Sequence, residues 1–356
     1  MTQNNWGARS WNNWGICSKK STGSPVRGAA FIKTNLLAVL FALTALSALA
    51  EGGALGENIE LRTTPVVLDL ADPDRVAVGD LIYLGGLRLN SPHRDFGGWS
   101  GLWVSPDGSR LVAVGDRGHW LTATIVSSQT GGLIDLTDGQ LFPMLGVDGA
   151  AVAPPFSDAE SIAALDGGLL VAFERAHRFW WYPGTTAEVL ATAIPQEVFH
   201  PHPLHDAPSN GGVEALTALA DGTLLAFAEE LFGPDGALGW ITNGDGLEQA
   251  ITLATSDGYV PTGAATMANG DVLILERRFD LLGFRSRIRI LDQADIVADA
   301  IVTGTQIARL ARPLLADNFE AIATVDTPNG TLIYVLSDNN FSVLQRTLLL
   351  VFKLDL

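Results

Sequence analysis

The feature that most constrains this chain is a hairpin pattern that recurs along its C-terminal part. Each copy reads as strand, tight turn and strand, with an Asp-Gly or Asn-Gly pair at the turn. Successive copies, aligned on Ser100 of the first, are separated by 60, 54, 48 and 58 residues. This length leaves room for two further strands and predicts the four-stranded blades of a β-propeller. The copies are 99–118, 159–176, 213–230, 261–278 and 319–339.

The number of blades depends on the sequence that flanks these copies. Residues 58–96 include a strand-like run at 80–90, and the chain ends on another at 347–356. We therefore predict an all-β fold, a single β-propeller, and prefer six blades, with five as the alternative. A β-sandwich of hairpins is the competing fold, and the near-regular repeat favours the propeller.

The turns predict which side chains lie opposite each other. Asp-Gly and Asn-Gly favour type I′ hairpins, in which the turn residues have positive φ. A two-residue loop places Glu214 opposite Glu229, and equivalent positions in the other copies bring polar side chains to the same end of each blade. The first-strand residues are Ser100, Glu160, Glu214, Thr262 and Glu320, and the second-strand acids are Asp116, Glu174, Glu229, Glu276 and Asp338.

A ring of carboxylates at one rim of the channel predicts a metal site. The first strand of each blade lines the channel, so these side chains meet there, and close carboxylates cannot all stay ionised without compensation. Ca²⁺ tolerates irregular sets of carboxylate ligands, and Glu214 with Glu229 is expected to be central. Arginines can also compensate the charge of these carboxylates. The alternative to a metal or substrate site is therefore a structural ring of ion pairs between the blades. The predicted ligands are Glu160, Glu174, Glu214, Glu229, Glu276, Glu320, Asp116 and Asp338, and the arginines are Arg117, Arg175, Arg277 and Arg278.

The N-terminus reads as an export signal. Residues 36–50 form an apolar run that follows Arg27 and Lys33 and ends in Ala-Leu-Ala, a small-residue cleavage site. We therefore divide the chain into an N-terminal extension with signal peptide, 1–50, and the propeller, 51–356. An uncleaved anchor is the alternative. The only cysteine, Cys17, precedes the predicted cleavage site, so the mature chain has no disulfide.

The charge of the mature chain limits its partners. Residues 51–356 hold 17 basic and 39 acidic side chains, a formal charge of −22. This charge disfavours nucleic acid and anionic membrane surfaces. We expect a secreted or periplasmic monomer that is not held in the membrane after cleavage and that takes a small-molecule ligand. A loop with His200, His202 and His205 fits Zn²⁺ or Cu²⁺ only weakly, because no strand or helix spacing fixes the ligands.

The motifs around the repeats carry a family resemblance. The chain resembles the phytase-like family, also called the esterase-like activity of phytase family, in GGLRLNSPHRDFGGWSGLWVSPDGSRLVAVGDRGHW (85–120), DAESIAAL (158–165), GGVEAL (211–216), ILERRF (274–279) and NFEAIA (318–323). The resemblance implies an exported propeller with Ca²⁺-assisted ester or phosphoester hydrolysis.

Two functions are consistent with this rim. In a hydrolase, the metal polarises an ester oxygen and activates water, Glu214 and Glu229 act as ligand or base, and Arg277 or Arg278 holds the leaving anion. The other is a non-catalytic propeller that binds a ligand or a protein at the same mouth. A dedicated proton donor separates them, and His119 and His177 are the candidates.

We predict cleavage after Ala50, because the apolar run, its basic flank and the Ala-Leu-Ala site together match an export signal. Intact-mass analysis of the protein recovered from the periplasm should give a chain that begins at Glu51. Recovery of a chain that still begins at Met1 would contradict this prediction.

Overall fold

Short apolar runs bounded by glycine, proline and aspartate form the strands of this protein. The computed structural model describes residues 56–243, 246–281 and 283–355, all within one unit, Gly52–Leu356; the predicted signal peptide lies outside the described residues. In chain order the strands are β1 (Glu57–Asn58), β2 (Arg62–Pro65), β3 (Ala77–Val78), β4 (Leu81–Asn90), β5 (Trp99–Val104), β6 (Arg110–Gly115), β7 (His119–Ser127), β8 (Leu133–Pro143), β9 (Ala159–Leu165), β10 (Gly168–Phe173), β11 (Arg178–Pro183), β12 (Gln196–Val198), β13 (Val213–Ala218), β14 (Leu224–Gly233), β15 (Gly236–Thr242), β16 (Glu248–Leu253), β17 (Val260–Thr266), β18 (Val272–Asp280), β19 (Gly283–Leu291), β20 (Ile301–Val302), β21 (Thr305–Leu310), β22 (Phe319–Thr327), β23 (Gly330–Ser337) and β24 (Thr347–Leu354).

Helices contribute little to the fold. One α-helix, α1 (Ala187–Leu190), and two 3₁₀ helices, His202–Asp206 and Gln293–Asp295, lie in connections between the described strands. No helix in the described part of the chain is long and apolar enough to cross a membrane.

The strands pair into five antiparallel blades. Their orders are β5-β6-β7-β8 with β1, β9-β10-β11-β12, β13-β14-β15-β16 with β20 paired in parallel, β17-β18-β19-β21, and β22-β23-β24-β4 with β2 and β3. The innermost strands contact one another in a closed cycle, β5 to β9, β13, β17, β22 and back to β5. Each predicted hairpin is therefore the inner half of one blade, and the five blades close into a propeller.

The preference for six blades is not confirmed, because the stretch expected to supply a sixth blade completes the fifth. β4 pairs antiparallel with the C-terminal strand β24 over Leu81–Leu89 and Thr347–Leu354. Residues 58–96 supply only one long strand, and its backbone hydrogen bonds are taken up by the edge of the last blade. The two ends of the domain thus join in one sheet and close the ring.

The apolar cores lie between the blades. The buried apolar side chains form five clusters, and each cluster draws on two neighbouring blades. Between the first two blades, the rings of Trp120 and Tyr182 meet edge to face with centroids 5.0 Å apart. Aromatic and aliphatic burial at every interface fixes the angle between blades, and with it the positions of the strand ends.

The turns confirm part of the predicted geometry. The glycines of all five turns have positive φ, 70° at Gly108, 75° at Gly167, 84° at Gly222, 92° at Gly270 and 114° at Gly330. The type I′ prediction holds at the second turn, where the aspartate before the glycine also has a positive φ. At the other four turns it is wrong, because only the glycine of each pair has a positive φ. In three of them the Asp or Asn side chain instead accepts a backbone N–H two residues on, which favours a longer turn.

The glycine at one exposed turn gives a clean test of this conformation. A Cβ at Gly222 would meet nothing within 4 Å, so a substitution there costs only backbone strain. Gly222→Val should lower the free energy of unfolding by about 1–2 kcal/mol, and Gly222→Asn by less, because asparagine tolerates positive φ. Urea unfolding of the three proteins measures both effects, and equal stability of Gly222→Val and wild type would contradict the turn assignment.

Candidate functional site

A β-bulge interrupts every innermost hairpin at the same position. In the first blade Trp99 pairs with Gly115 and Gly101 with Val114, which leaves Ser100 without a partner residue. The same break in register occurs in the other four blades. The five skipped residues, here called the bulge ring, are Ser100, Glu160, Glu214, Thr262 and Glu320. They are the first-strand residues that the repeat singled out, and the bulge releases them from the ladder at the mouth of the channel.

A second ring stands at the end of the second strands. The backbone N–H of Asp116 donates to the carbonyl oxygen of Gly98 at 3.1 Å, and Glu229 donates to Gly212 in the same way at 2.8 Å. The equivalent residues of the five blades, here called the second ring, are Asp116, Glu174, Glu229, Arg277 and Asp338, opposite Gly98, Asp158, Gly212, Val260 and Asn318. Four blades thus offer an acid at this position and the fourth blade offers an arginine.

The bulge corrects two sequence-based expectations about position. Glu214 does not lie opposite Glu229, because Val213 pairs with Ala228 and the next bond joins Glu229 to Gly212. Glu276 falls one residue short of the second ring and pairs with Pro261.

Glu276 has a structural role instead of a place at the rim. Its fully buried carboxylate accepts hydrogen bonds from Arg287, at 2.6 and 3.0 Å, and from Arg289, at 2.7 and 2.8 Å. Arg287 also lies over the ring of Tyr259. Both arginines sit on β19, so this pair of bidentate contacts ties the second and third strands of the blade together. The structure does not bring Glu276 to the other predicted ligands.

The closest carboxylates at the mouth come from the first two blades. Oxygen atoms of Asp116, Asp158 and Glu160 lie within 4.8 Å of one another. Among the described residues this is the one group of three or more His, Cys, Asp or Glu side chains whose ligand atoms approach so closely. Ser100 donates to Asp116 at 3.3 Å, and Arg175 donates to Asp158 from the outer side. We call these three residues the acidic triad.

The opposite side of the mouth is neutralised by Arg277. Its guanidinium donates to Glu229 at 2.5 Å, to Asn318 at 2.6 Å and to Glu320. Asn318 in turn donates to Glu320 at 2.6 Å. The arginine partner of Glu229 thus comes from the neighbouring blade and not from the adjacent residue in the sequence.

Glu214 sits between these two halves with a free oxygen. Its side chain is buried, and Oε2 has no hydrogen-bond partner. Burial raises the pKa of Glu214 well above its ordinary value, and the nearby charges of Glu229 and Glu320 raise it further. An unpartnered buried carboxylate oxygen costs free energy unless a proton or a ligand satisfies it.

The acids of the mouth hold protons more tightly than ordinary carboxyls. Burial, reinforced by neighbouring acids, raises the pKa of Asp116 to about 6, of Glu320 to about 7 and of Glu174 to about 8. The pKa values of Glu160 and Asp338 are raised well above their ordinary range for the same reasons. The charges of the bulge ring and second ring thus act on each other across blades, and the arginines compensate only part of the repulsion.

The donors of the acidic triad fit a hard cation. All are carboxylate oxygens, which are the ligands that Ca²⁺ and similar ions prefer, and the charge of Glu160 is one of those that raise the pKa of Glu214. The histidine loop fits a metal less well. His202 pairs with Glu248 at 3.0 Å, and the rings of His200 and His205 meet edge to face.

Among the described residues, two predicted arginines and the two predicted proton donors form no hydrogen bond with the acids of the bulge ring or the second ring. Arg278 donates to the carbonyl oxygen of Asp257 and pairs with Asp280, while Arg117 contacts Asp95 and the ring of Phe341. His119 and His177 are the predicted proton donors, and burial lowers the pKa of both, which favours the neutral imidazole.

Sequence reasoning missed two residues of the site, Asp158 and Asn318. Each stands two positions before a bulge glutamate, in Asp158-Ala-Glu160 and Asn318-Phe-Glu320. The acid or amide at this spacing recurs in two of the five repeats and was the available signal. Residues two positions apart lie on the same face of a regular strand. Asp158 and Asn318, however, precede the first residues of β9 and β22, so the strand pattern alone did not place them at the site.

Comparisons with known proteins bear on these rings. The sequence pattern of the phytase-like family, described as esterase-like activity of phytase, matches residues 94–341, which include every member of both rings. No curated protein matches the sequence. Among solved structures, the PQQ-bound aldose sugar dehydrogenase of Streptomyces coelicolor is similar at 12% identity and a TM-score of 0.45, over 82% of this chain and 99% of that one. A gluconolactonase of Xanthomonas campestris is 10% identical with a TM-score of 0.40, over 85% of this chain and 99% of that one. The glutaminyl cyclase of Myxococcus xanthus is 13% identical with a TM-score of 0.40, over 74% and 93%.

The raised pKa values predict how stability depends on pH in metal-depleted buffer. The folded protein binds protons at Asp116, Glu320 and Glu174 more tightly than the unfolded chain, so their contribution is present at low pH and is lost as pH rises through about 6 to 8. The free energy of unfolding should therefore fall by a few kcal/mol between about pH 5 and about pH 8, at about 1.4 kcal/mol for each pKa unit.

Urea unfolding at the two pH values checks this prediction. Glu174→Gln should reduce the pH dependence, whereas Glu197→Gln, which changes an exposed glutamate on the outer strand β12, should leave it unchanged. A wild-type stability that is constant or rises over this range would contradict the account of the mouth.

Proposed function

Because the chain belongs to the phytase-like family, described as esterase-like activity of phytase, we propose that its mouth binds a hard divalent cation, Ca²⁺ above all, and hydrolyses phosphate or carboxylic esters. The observation that carries this proposal is the acidic triad, three carboxylates with oxygens within 4.8 Å of one another, and the next residue of the bulge ring, Glu214, has an unpartnered oxygen. We place this activity in an exported monomer, in keeping with the export signal predicted from residues 36–50.

Asp116, Asp158 and Glu160 would hold the cation. Bound there, it would supply positive charge that offsets the repulsion among the acids and polarises an ester oxygen. Arg175 supports this arrangement from outside, because its contact with Asp158 limits the rotamers of that side chain. Glu174 borders the same region and accepts the backbone N–H of Gly212 at 2.5 Å, which fixes the orientation of its carboxyl.

Glu214 is the residue best placed to move a proton. Its Oε2 has no hydrogen-bond partner, whereas Glu229 and Glu320 both accept hydrogen bonds from Arg277. The raised pKa of Glu214 makes it a stronger base than an ordinary carboxylate once it is ionised. Positive charge at the acidic triad would reduce the repulsion that retains its proton. Glu214 can then take a proton from water that attacks the ester carbon or phosphorus.

Arg277 positions the remaining acids, and because its guanidinium is held by Glu229, Glu320 and Asn318 it is not free to hold the leaving anion. Its two contacts with Glu229 and Glu320 hold both carboxylates in place through charge-assisted hydrogen bonds. Through these contacts it keeps the side of the mouth opposite the triad less negative. The role first suggested for Arg278 is not part of this proposal, since Arg278 is held by Asp280.

The first experiment separates cation binding from catalysis. Wild type, Asp158→Asn/Glu160→Gln, Glu214→Gln and the exposed control Glu197→Gln are melted in calcium and in chelator. Wild type and control should melt higher in calcium, by the equivalent of roughly 2.7 kcal/mol at a hundredfold excess over the dissociation constant. The double variant should not respond to calcium. Equal melting of wild type in calcium, magnesium, manganese and chelator would reject the cation site.

The second experiment tests hydrolysis. p-Nitrophenyl phosphate, bis-p-nitrophenyl phosphate and p-nitrophenyl esters of short acids are offered to the same four proteins. Glu214→Gln should keep its response to calcium and lose about a hundredfold or more in kcat, as expected for a general base. Calcium binding without hydrolysis of any ester would reject the enzyme and support the alternative, a propeller that binds a ligand at this mouth without catalysis.

A further inference from the structure

An arginine-lined groove lies at the fourth blade, whereas the acidic triad belongs to the first two blades. It has a volume of about 1300 Å³ and lies between the tip of the β18–β19 hairpin, the end of β21 and the segment before β3. Four arginines, Arg75, Arg285, Arg309 and Arg312, line it against one acid, Asp280. This concentration stands out in a chain whose net charge is −17.

The charges of this groove are only partly compensated within the protein. Arg285 lies 3.2 Å from Asp280, and Arg75 lies 3.4 Å from Asp69, outside the groove. The side chains of Arg309 and Arg312 are exposed, and neither forms an ion pair with any of the described residues. Four like charges around one concave surface repel each other, so an anion that binds there relieves repulsion as well as forming hydrogen bonds.

The lip of the groove is apolar. Phe279 is 69% exposed and Leu281 is fully exposed at the hairpin tip. The ring of Phe279 packs on Phe284 with centroids 4.6 Å apart, which holds it in place beside the arginines. Exposed large apolar side chains at the edge of a concave site are a feature of ligand-binding grooves.

We propose that this groove binds an organic polyanion, with two or more carboxylate or phosphate groups on an apolar or aromatic frame. The guanidinium groups of Arg309 and Arg312 bind the oxyanions in the bidentate manner that arginine favours, with Arg285 and Arg75 behind them. Phe279 and Leu281 cover the apolar part. The site does not depend on the chemistry of the mouth, since none of its residues contacts the acidic triad or Glu214.

The test uses three probes of similar charge and different frame. Benzene-1,3,5-tricarboxylate, citrate and pyrophosphate are titrated by calorimetry into the full chain in metal-depleted buffer at low salt. The aromatic tricarboxylate should bind more tightly than citrate, and a large excess of sodium chloride should weaken every probe that binds. Comparison of citrate with pyrophosphate shows whether carboxylate or phosphate is the preferred oxyanion.

Two pairs of variants locate the binding. Arg309→Gln/Arg312→Gln should weaken binding of the aromatic tricarboxylate about tenfold or more. Arg88→Gln/Arg110→Gln removes the same charge from two exposed arginines elsewhere and should change it less than about twofold. Phe279→Ser should remove the preference for the aromatic frame over citrate. All three changes are at exposed side chains, and melting temperatures confirm that the variants are folded.

The outcomes are distinct from those of the ester experiments. Binding should persist in Asp158→Asn/Glu160→Gln, so a failure of the proposed hydrolase leaves this site standing. No binding of any probe at millimolar concentration would overturn the proposal. Equal loss in the two arginine pairs would also overturn it, because the effect would then follow net charge and not this groove.

Discussion

Repulsion among buried acids dominates the mouth of this propeller. Six carboxyl groups there have raised pKa values, because burial penalises their charge and neighbouring acids add to the cost. The fold tolerates this cost because the propeller is stabilised away from the mouth, by apolar clusters at all five blade interfaces. A bulge at the same place in each inner hairpin sets the positions of the acids. The mouth therefore contains more acids than its arginines neutralise, and binding of protons or of a cation reduces the repulsion among them.

One residue of the second ring differs in charge from its equivalents in the other blades, and this difference divides the mouth into two halves. Arg277 stands where the other four blades have an acid, and it binds Glu229, Glu320 and Asn318 across two blade boundaries. That half is neutralised by the protein itself. Within the described residues, Arg175 is the one arginine that forms an ion pair with Asp116, Asp158 or Glu160, so this is the half that a cation would occupy. The asymmetry comes from the sequences of the blades and not from the shape of the propeller.

Much of the fold could be predicted from the sequence, because a repeated turn signal and alternating apolar residues are local properties. The repeat located all five inner hairpins, and the glycines of their turns have the expected positive φ. The two terminal strand-like runs were expected to help close the ring, but the blade that they join was not predictable, since β4 and β24 are far apart in sequence and carry no turn signal between them.

The positions of the bulge ring were predicted from the repeat, whereas the pairing of the strands around it was not. The bulge ring was named correctly, residue by residue, because its members recur at one position of the repeat. The bulge itself shifted the opposing strand by one residue, which moved Arg277 into the second ring and Glu276 out of it. A break in register is a property of the paired strands, so the residues of one strand do not reveal it.

The central claim is that the three closest carboxylates form a cation site, and anomalous scattering tests it most directly. Crystals grown with Mn²⁺, a hard cation that scatters anomalously, should show a peak within coordination distance of Asp116, Asp158 and Glu160. A variant with Asp158→Asn and Glu160→Gln should lose that peak while the propeller remains intact. Saturating Mn²⁺ that leaves the mouth without a peak, or a peak that persists in the variant, would contradict the account.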